Sequence, residues 1–369
     1  MKKVLAFMLA AMMMASVAVG CGNDSNTSST ESTGTDSTAS TDNNEEPSEA
    51  GTDASDVSIG SCVYKFDDTF MTGVRNTMTA RAEELGAKID IVDSQNKQPT
   101  QNEQVDTFIT KGVNALIVNP VDLTDAGPII PKAKDADLPI VLQNRQPSEE
   151  DMNSYDKAWY VGCRAEQSGT MSGEIIADYF TAHPEADKNG DGKVQYVMIQ
   201  GEPGHQDATL RSEYAPKAIE EAGFGVEQLA ADTAMWDKVK ATDLMAAFIS
   251  SQGIDKIEAV LCNNDDMALG AIEALKAEGY NSGDESKYIP VVGVDATAPA
   301  LEAMKDGSLL GTVLNDSTSQ GNASVNIAVA AAQGKEITEE NIGYPVTDDK
   351  YVWVDYVKVT QDNYQDYMS

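Results

Sequence analysis

The chain has 369 residues, enough for two domains. With 41% apolar residues it can build large cores, and its glycine and proline contents exclude collagen or wholesale disorder. A formal charge of -34, from 26 Lys and Arg against 60 Asp and Glu, disfavours nucleic acid, a bare anionic membrane surface and a highly anionic solute.

Lys2 and Lys3 precede an apolar run from Val4 to Gly20, and Cys21 follows at a small-residue exit. This reads as a signal peptide over residues 1–20. Ala18-Val19-Gly20-Cys21 resembles a bacterial lipobox, with Ala18 where Leu is usual. Cleavage before Cys21 and lipidation of its thiol are therefore expected, plain secretion being the alternative. Residues 21–56 are acidic, rich in Ser and Thr and free of basic side chains, so they predict an extended tether. Cys62, Cys163 and Cys262 lie in or beside apolar segments and read as small buried hydrophobes, without disulfide or metal-site spacing.

From residue 57 the chain alternates short apolar runs with helical periods. Strands are predicted at 57–63, 88–92, 115–118 and 139–142, separated by helices at 72–85, 101–110 and 126–136. After 160–162 the pattern restarts. Helices at 165–179, 210–222, 238–248, 267–277 and 298–305 alternate with strands at 194–200, 226–230, 259–262, 290–294 and 311–314. A helix at 320–332 and a closing strand at 351–356 complete the chain. This βα repetition predicts an α/β protein with two doubly wound parallel sheets and a ligand cleft at the carboxyl ends of their strands.

The loops after the strands share a vocabulary. The first carries Tyr64, Asp68 and Phe70; later ones carry Asn144-Arg145, Gly204-His205-Gln206-Asp207, Asn263-Asn264-Asp265, Asp295 and Asn315. Carboxylates accept from hydroxyls, Arg donates and amides do both, so the set suits a polyhydroxylated neutral ligand. Phe70 and Trp236 are candidate flat faces for a sugar ring, with core packing as the alternative. The segment from Asp187 matches the first nine positions of a calcium loop: Asp187, Asn189, Asp191, Gly192, the Lys193 carbonyl and Gln195. Position twelve is Met198, so either a distant carboxylate completes the site or the segment is an Asp-rich turn. No phosphate loop, HExxH or GxSxG pattern occurs. His183 reads as a solvated residue. Asp68 and Asp207 could form a glycosidase pair, but their setting argues for ligand retention.

On the blocks 64–68, 187–195, 201–205, 232–237, 263–265 and 311–316, the chain resembles the bacterial galactose/glucose-binding proteins of ATP-driven (ABC) sugar import. The resemblance spans nearly all of residues 57–364 and implies a type I periplasmic-binding-protein fold with a three-crossing hinge. One lobe would combine 57–162 with 316–354, the other 163–315 with 355–369. Sugar contacts are implied at Tyr64, Asp68, Phe70, Asn144, His205, Asp207, Arg211, Trp236, Asn264, Asp295 and Asn315. Phe70 and Trp236 would sandwich the ring, Asp68 would meet the 4-hydroxyl, and Asp207, Asn264 and Arg211 would hold the anomeric end and ring oxygen. Asp295 would take neighbouring hydroxyls, and neutral His205 would donate to a sugar oxygen, making binding mildly acid-sensitive. One structural calcium ion is implied at Asp187, Asn189, Asp191, Lys193 by its carbonyl, Gln195 and the distant Glu258. A monomer is expected that is non-enzymatic, closes around D-galactose or D-glucose and serves a membrane permease, with a chemosensory receptor as a further partner. Ribose, xylose or a sensor role without transport are the alternatives. With Cys21, the tether implies anchoring on the outer face of a single membrane, or a periplasmic location where there are two. Gln206 stands where the family has proline, Trp353 where it has a basic residue, and residues 281–287 enlarge a surface loop.

Overall fold

The computed structural model describes residues 53–122 and 128–368. The expected signal peptide, Cys21 and most of the expected tether lie outside the described residues. The described residues begin slightly before the expected boundary at 57. Asp53 caps a 3-10 turn, Ala54–Asp56, whose Ala54 packs against the first core.

The first βα series comprises β1 (Ser58–Val63), α1 (Thr69–Leu85), β2 (Lys88–Asp93), α2 (Gln98–Lys111), β3 (Ala115–Val118), α3 (Ile129–Asp135), β4 (Ile140–Gln143), α4 (Glu149–Asn153) and β5 (Ala158–Gly162). Its continuation is α5 (Ala165–Ala182), β6 (Lys193–Gln200), α6 (Gln206–Glu221), β7 (Gly225–Thr233), α7 (Lys238–Gln252), β8 (Ala259–Cys262), α8 (Asp265–Ala277), β9 (Val291–Val292), α9 (Ala298–Lys305) and β10 (Thr312–Leu314). The chain ends through α10 (Ser317–Ala332), α11 (Glu339–Ile342), β11 (Tyr351–Trp353) and β12 (Val357–Val359).

The first sheet has the order β11-β5-β4-β3-β1-β2, all parallel. β3 and β4 are buried throughout, because helices cover both faces and leave no polar side to alternate. α1 buries Met71, Val74, Met78 and Ala82 at helical spacing and packs against α10, which has crossed back from the second lobe. The second sheet runs β7-β6-β8-β9 in parallel. Parallel bridges from Val292 to Gly311 and from Asp295 to Leu314 extend it to β10, which pairs antiparallel with β12.

The chain passes between the sheets from β5 to α5, from β10 to α10 and from β11 to β12. The segment 351–356 was expected as one strand. Instead β11 joins the first sheet, β12 joins the strand beside the second, and buried Val354 and Tyr356 lie between them. α5 and α6 approach closely because Gly173 faces Ala215, where a Cβ would fall 2.1 Å from the carbonyl oxygen. That approach brings Ser168 within reach of Arg211.

Candidate functional site

The loops at the carboxyl ends of both sheets converge on one cavity. Every sugar-contact residue implied by the sequence lines it, together with Met71 and Arg145. Arg145 belongs to the strand-end set read from the sequence, although the resemblance did not place it among the sugar contacts.

From the first lobe, Asp68 caps α1. Its Oδ1 accepts from the Met71 amide at 2.7 Å and its Oδ2 from the Tyr64 hydroxyl at 2.5 Å. The carboxylate is thus fixed in orientation, and each oxygen retains lone-pair capacity for a ligand hydroxyl. Asn144 follows β4 with φ 62°, a left-handed conformation, and its Oδ1 accepts from Asn119.

From the second lobe, His205 caps α6: its Nδ1 accepts from the Asp207 amide at 3.1 Å. The ring proton of the neutral form is therefore on Nε2, free to donate. Burial, then Arg145 and Arg211, hold His205 well below its ordinary range. The acid sensitivity expected of it is accordingly displaced below the pH at which free histidine titrates. Arg211 is buried with every donor nitrogen engaged. Nε reaches Ser168 Oγ, Nη1 the Asn263 carbonyl, and Nη2 both Asp207 Oδ2 and the Tyr356 hydroxyl. Burial raises the Asp207 carboxyl, while Arg211 opposes the rise.

Trp236 follows β7 at φ 61° and Asp295 follows β9 at φ 125°. Both conformations cost energy for residues with side chains, and such strain clusters at binding sites. Gly201 makes the Trp236 position possible, since a Cβ there would lie 2.1 Å from the indole ring. His205 meets that ring edge-on at 5.1 Å. Asn264 caps α8 through the Met267 amide, and Asn315 donates to Asp295 Oδ1 at 3.1 Å. Burial raises Asp295 well above the usual carboxylate range, and Asp265 adds to the rise. Cys163 is more than a buried hydrophobe. At the first crossing its Sγ lies 3.3 Å from both Asn315 Oδ1 and Gln320 Nε2.

Asp68, Asp207 and Asp295 share the cavity wall with Arg145 and Arg211, so acidic groups are set against basic ones there. No local basic field offsets the global negative charge, so the site suits an uncharged, hydroxyl-rich ligand.

The 187–195 loop lies at the opposite end of β6. Asp187 Oδ1 accepts from the Gly190 and Asp191 amides, Asn189 Oδ1 accepts from the Asp191 amide, and Gln195 Nε2 donates to the Asp191 carboxylate. Glu258 joins them from the segment before β8, accepting from the Lys188 and Gln195 amides at 2.7 and 3.0 Å. Gln195 Oε1 is buried and has no partner. Among the described residues no cluster of three or more His, Cys, Asp or Glu side chains stands in metal-holding geometry. His183 is half-exposed, stacked on Tyr179 and beside Glu185.

Comparison with known proteins gives consistent relatives. The periplasmic binding protein domain profile matches residues 59–336. The D-galactose/methyl-galactoside binding periplasmic protein MglB of Haemophilus influenzae is 42% identical over 322 residues, covering 87% of this chain and 95% of that protein. The ribose import binding protein of Bacillus subtilis is 27% identical over 308 residues, or 81% of this chain and 89% of that one. Among solved structures, an ABC transporter solute binding protein from Bacillus halodurans with bound myo-inositol superposes with a TM-score of 0.71 at 33% identity. It covers 85% of this chain and 97% of its own.

Proposed function

This chain belongs to the periplasmic binding protein family, and from that premise we propose that it captures D-galactose or D-glucose between its lobes and delivers it to the membrane permease of an ABC importer. Its fold is the type I periplasmic-binding-protein fold. The observation that carries the reading is that one cavity between the lobes gathers the whole hydroxyl-binding set with Phe70 and Trp236. Asp68, held by Tyr64, accepts from hydroxyls at one end of the ring. Arg211, Asp207 and Asn264 serve the other end, His205 donates through Nε2, and Trp236 covers a C–H face. A ligand touching both lobes shifts the population toward their closed arrangement, and binding proceeds without turnover.

The donor chemistry at 187–195 favours one structural calcium ion. Asp187, Asn189, Asp191, the Lys193 carbonyl, Gln195 and Glu258 would hold it, and buried Gln195 Oε1 is an oxygen in want of a partner. The ion would tie the start of β6 to the segment before β8, away from the sugar. Lipidation at Cys21 and tethering to the outer face of the cell membrane complete the reading, and a chemosensory partner is compatible with it.

Calorimetric titration with galactose, glucose, ribose, xylose and myo-inositol tests the assignment. One of the two hexoses binds tightest if it is right. Preference for ribose, xylose or inositol over both overturns it.

A further inference from the structure

Glu202 lies in the loop after β6, on the second lobe, and does not line the sugar cavity. Its carboxylate nevertheless faces the first lobe. Oε2 accepts from Arg145 Nη2 at 2.8 Å, and Oε1 accepts from Asn96 Nδ2 at 3.2 Å. Neither oxygen bonds to its own lobe among the described residues. The side chains of Arg145 and Glu202 are 4% and 14% exposed, so both ions lie largely out of water.

Arg145 is also set in place beforehand. Its guanidinium lies over the Tyr64 ring at 4.0 Å, and Nη1 donates to the Val121 carbonyl, both in the first lobe. Little side-chain entropy is then lost when Glu202 arrives. A third direct contact, Thr69 Oγ1 to Asp266 Oδ2 at 2.7 Å, also joins the lobes.

We propose that Arg145 and Glu202 form a sugar-independent clasp that sets how readily the lobes close and thereby scales affinity for every ligand alike. The proposal rests on the sugar-binding reading for its affinity arm. Apparent affinity is intrinsic affinity multiplied by the fraction of competent protein, so weakening a contact made only on closure multiplies each dissociation constant by one common factor.

The test substitutes Glu202→Gln, which keeps shape and an acceptor but removes the charge. A hydrogen bond between charged groups contributes more than a neutral one, so about a tenfold loss of affinity, equivalent to about 1.4 kcal/mol, is expected for galactose and for glucose, with their ratio unchanged. Dissociation should quicken, and the sugar-free melting temperature should stay the same, because Glu202 supports nothing within its own lobe. Unchanged affinity, unequal factors for the two hexoses or a lowered sugar-free melting temperature would each overturn the clasp. Distances between spin labels on the two lobes supply an arm that needs no ligand. Sugar-free Glu202→Gln should populate the closed distance less than wild type, and identical distributions refute the proposal. Failure of wild type to bind either hexose would remove the proposed function while leaving that distance measurement to judge the clasp.

Discussion

Arg211→Met is the perturbation whose cost can be worked most fully from the structure. Methionine keeps much of the side-chain volume but leaves Asp207, 13% exposed, without its ion-pair partner 2.9 Å away. It also strands the Asn263 carbonyl and the Tyr356 hydroxyl, the latter on the third crossing between lobes. Breaking a buried pair on one side costs about 3–5 kcal/mol, chiefly because the remaining charge is uncompensated. For a domain of about 150–250 residues each kcal/mol moves the melting temperature by about 2–4 °C, so the sugar-free variant should melt roughly 10 °C lower at pH 7.5. Asp207 is already raised by burial despite the pull of Arg211, and without Arg211 it rises further. A raised carboxyl keeps its proton in the folded state at a pH where the unfolded chain has released it. Its penalty is therefore full above the folded pKa and shrinks as pH falls toward the unfolded value of about 3.9. Melts of wild type, Arg211→Met and Arg211→Met/Asp207→Asn at pH 7.5 and 5 check the argument. The deficit of the single variant should narrow at pH 5, and the second substitution should recover about half of it at pH 7.5, since the orphaned charge is the main cost. A deficit below about 1 kcal/mol, one that widens on acidification, or an Asp207→Asn change that deepens it would refute the reasoning.

Two further outcomes follow from particular contacts. Gly201→Ala puts a Cβ 2.1 Å from the indole of Trp236, so the ring must move; hexose affinity should fall at least about tenfold, and unchanged affinity with unchanged tryptophan emission would contradict this. Chelation should lower the melting temperature while changing the hexose dissociation constant by less than about threefold, since a lost bound ion removes its linkage stabilisation. Glu258→Gln should lose that response to calcium, and a wild-type melt indifferent to chelator means there is no such ion.

The alternation of strands and helices was legible because apolar runs and helical periods are local properties. What escaped was wherever a local pattern served two masters. Helix starts were expected at Thr72, Leu210 and Met267, but the structure begins them at Thr69, Gln206 and Asp265. α6 and α8 open on the polar pairs Gln206-Asp207 and Asp265-Asp266, so their apolar periods begin only later, while α1 opens on Thr69-Phe70-Met71, whose Phe70 and Met71 line the cavity. Likewise 351–356 is apolar except for Asp355, yet its two ends serve different lobes, and a single charged residue does not by itself mark a hinge. The Arg145–Glu202 pair is 57 residues apart in sequence and has no local signature. The positive φ of Trp236 is equally silent, since nothing about tryptophan advertises it; only Gly201, on another loop, makes room for it.

The displaced helix starts also bear on how the site is built. Asp68, His205 and Asn264 each cap a helix and each line the cavity. A cap must accept an amide hydrogen bond, which fixes one acceptor atom and therefore the orientation of the rest of the group. For Asp68 this leaves Oδ2, already steadied by Tyr64, and for His205 it leaves Nε2 as the donor. The fold thus orients the ligand-facing atoms before any ligand arrives, which lowers the entropy that binding must overcome. Removing such a residue then has two costs. Asp68→Ala should lose about 1 kcal/mol of stability through the cap, and, separately, the acceptor at the cavity. Asp68→Asn keeps an acceptor for the Met71 amide, so it should retain most of the stability while still weakening the hydroxyl contact. Comparing the two variants by melting and by hexose titration separates the structural role of this residue from its role toward the sugar. Equal losses of stability in both would mean that the charge of Asp68, and not its capping geometry, holds the start of α1.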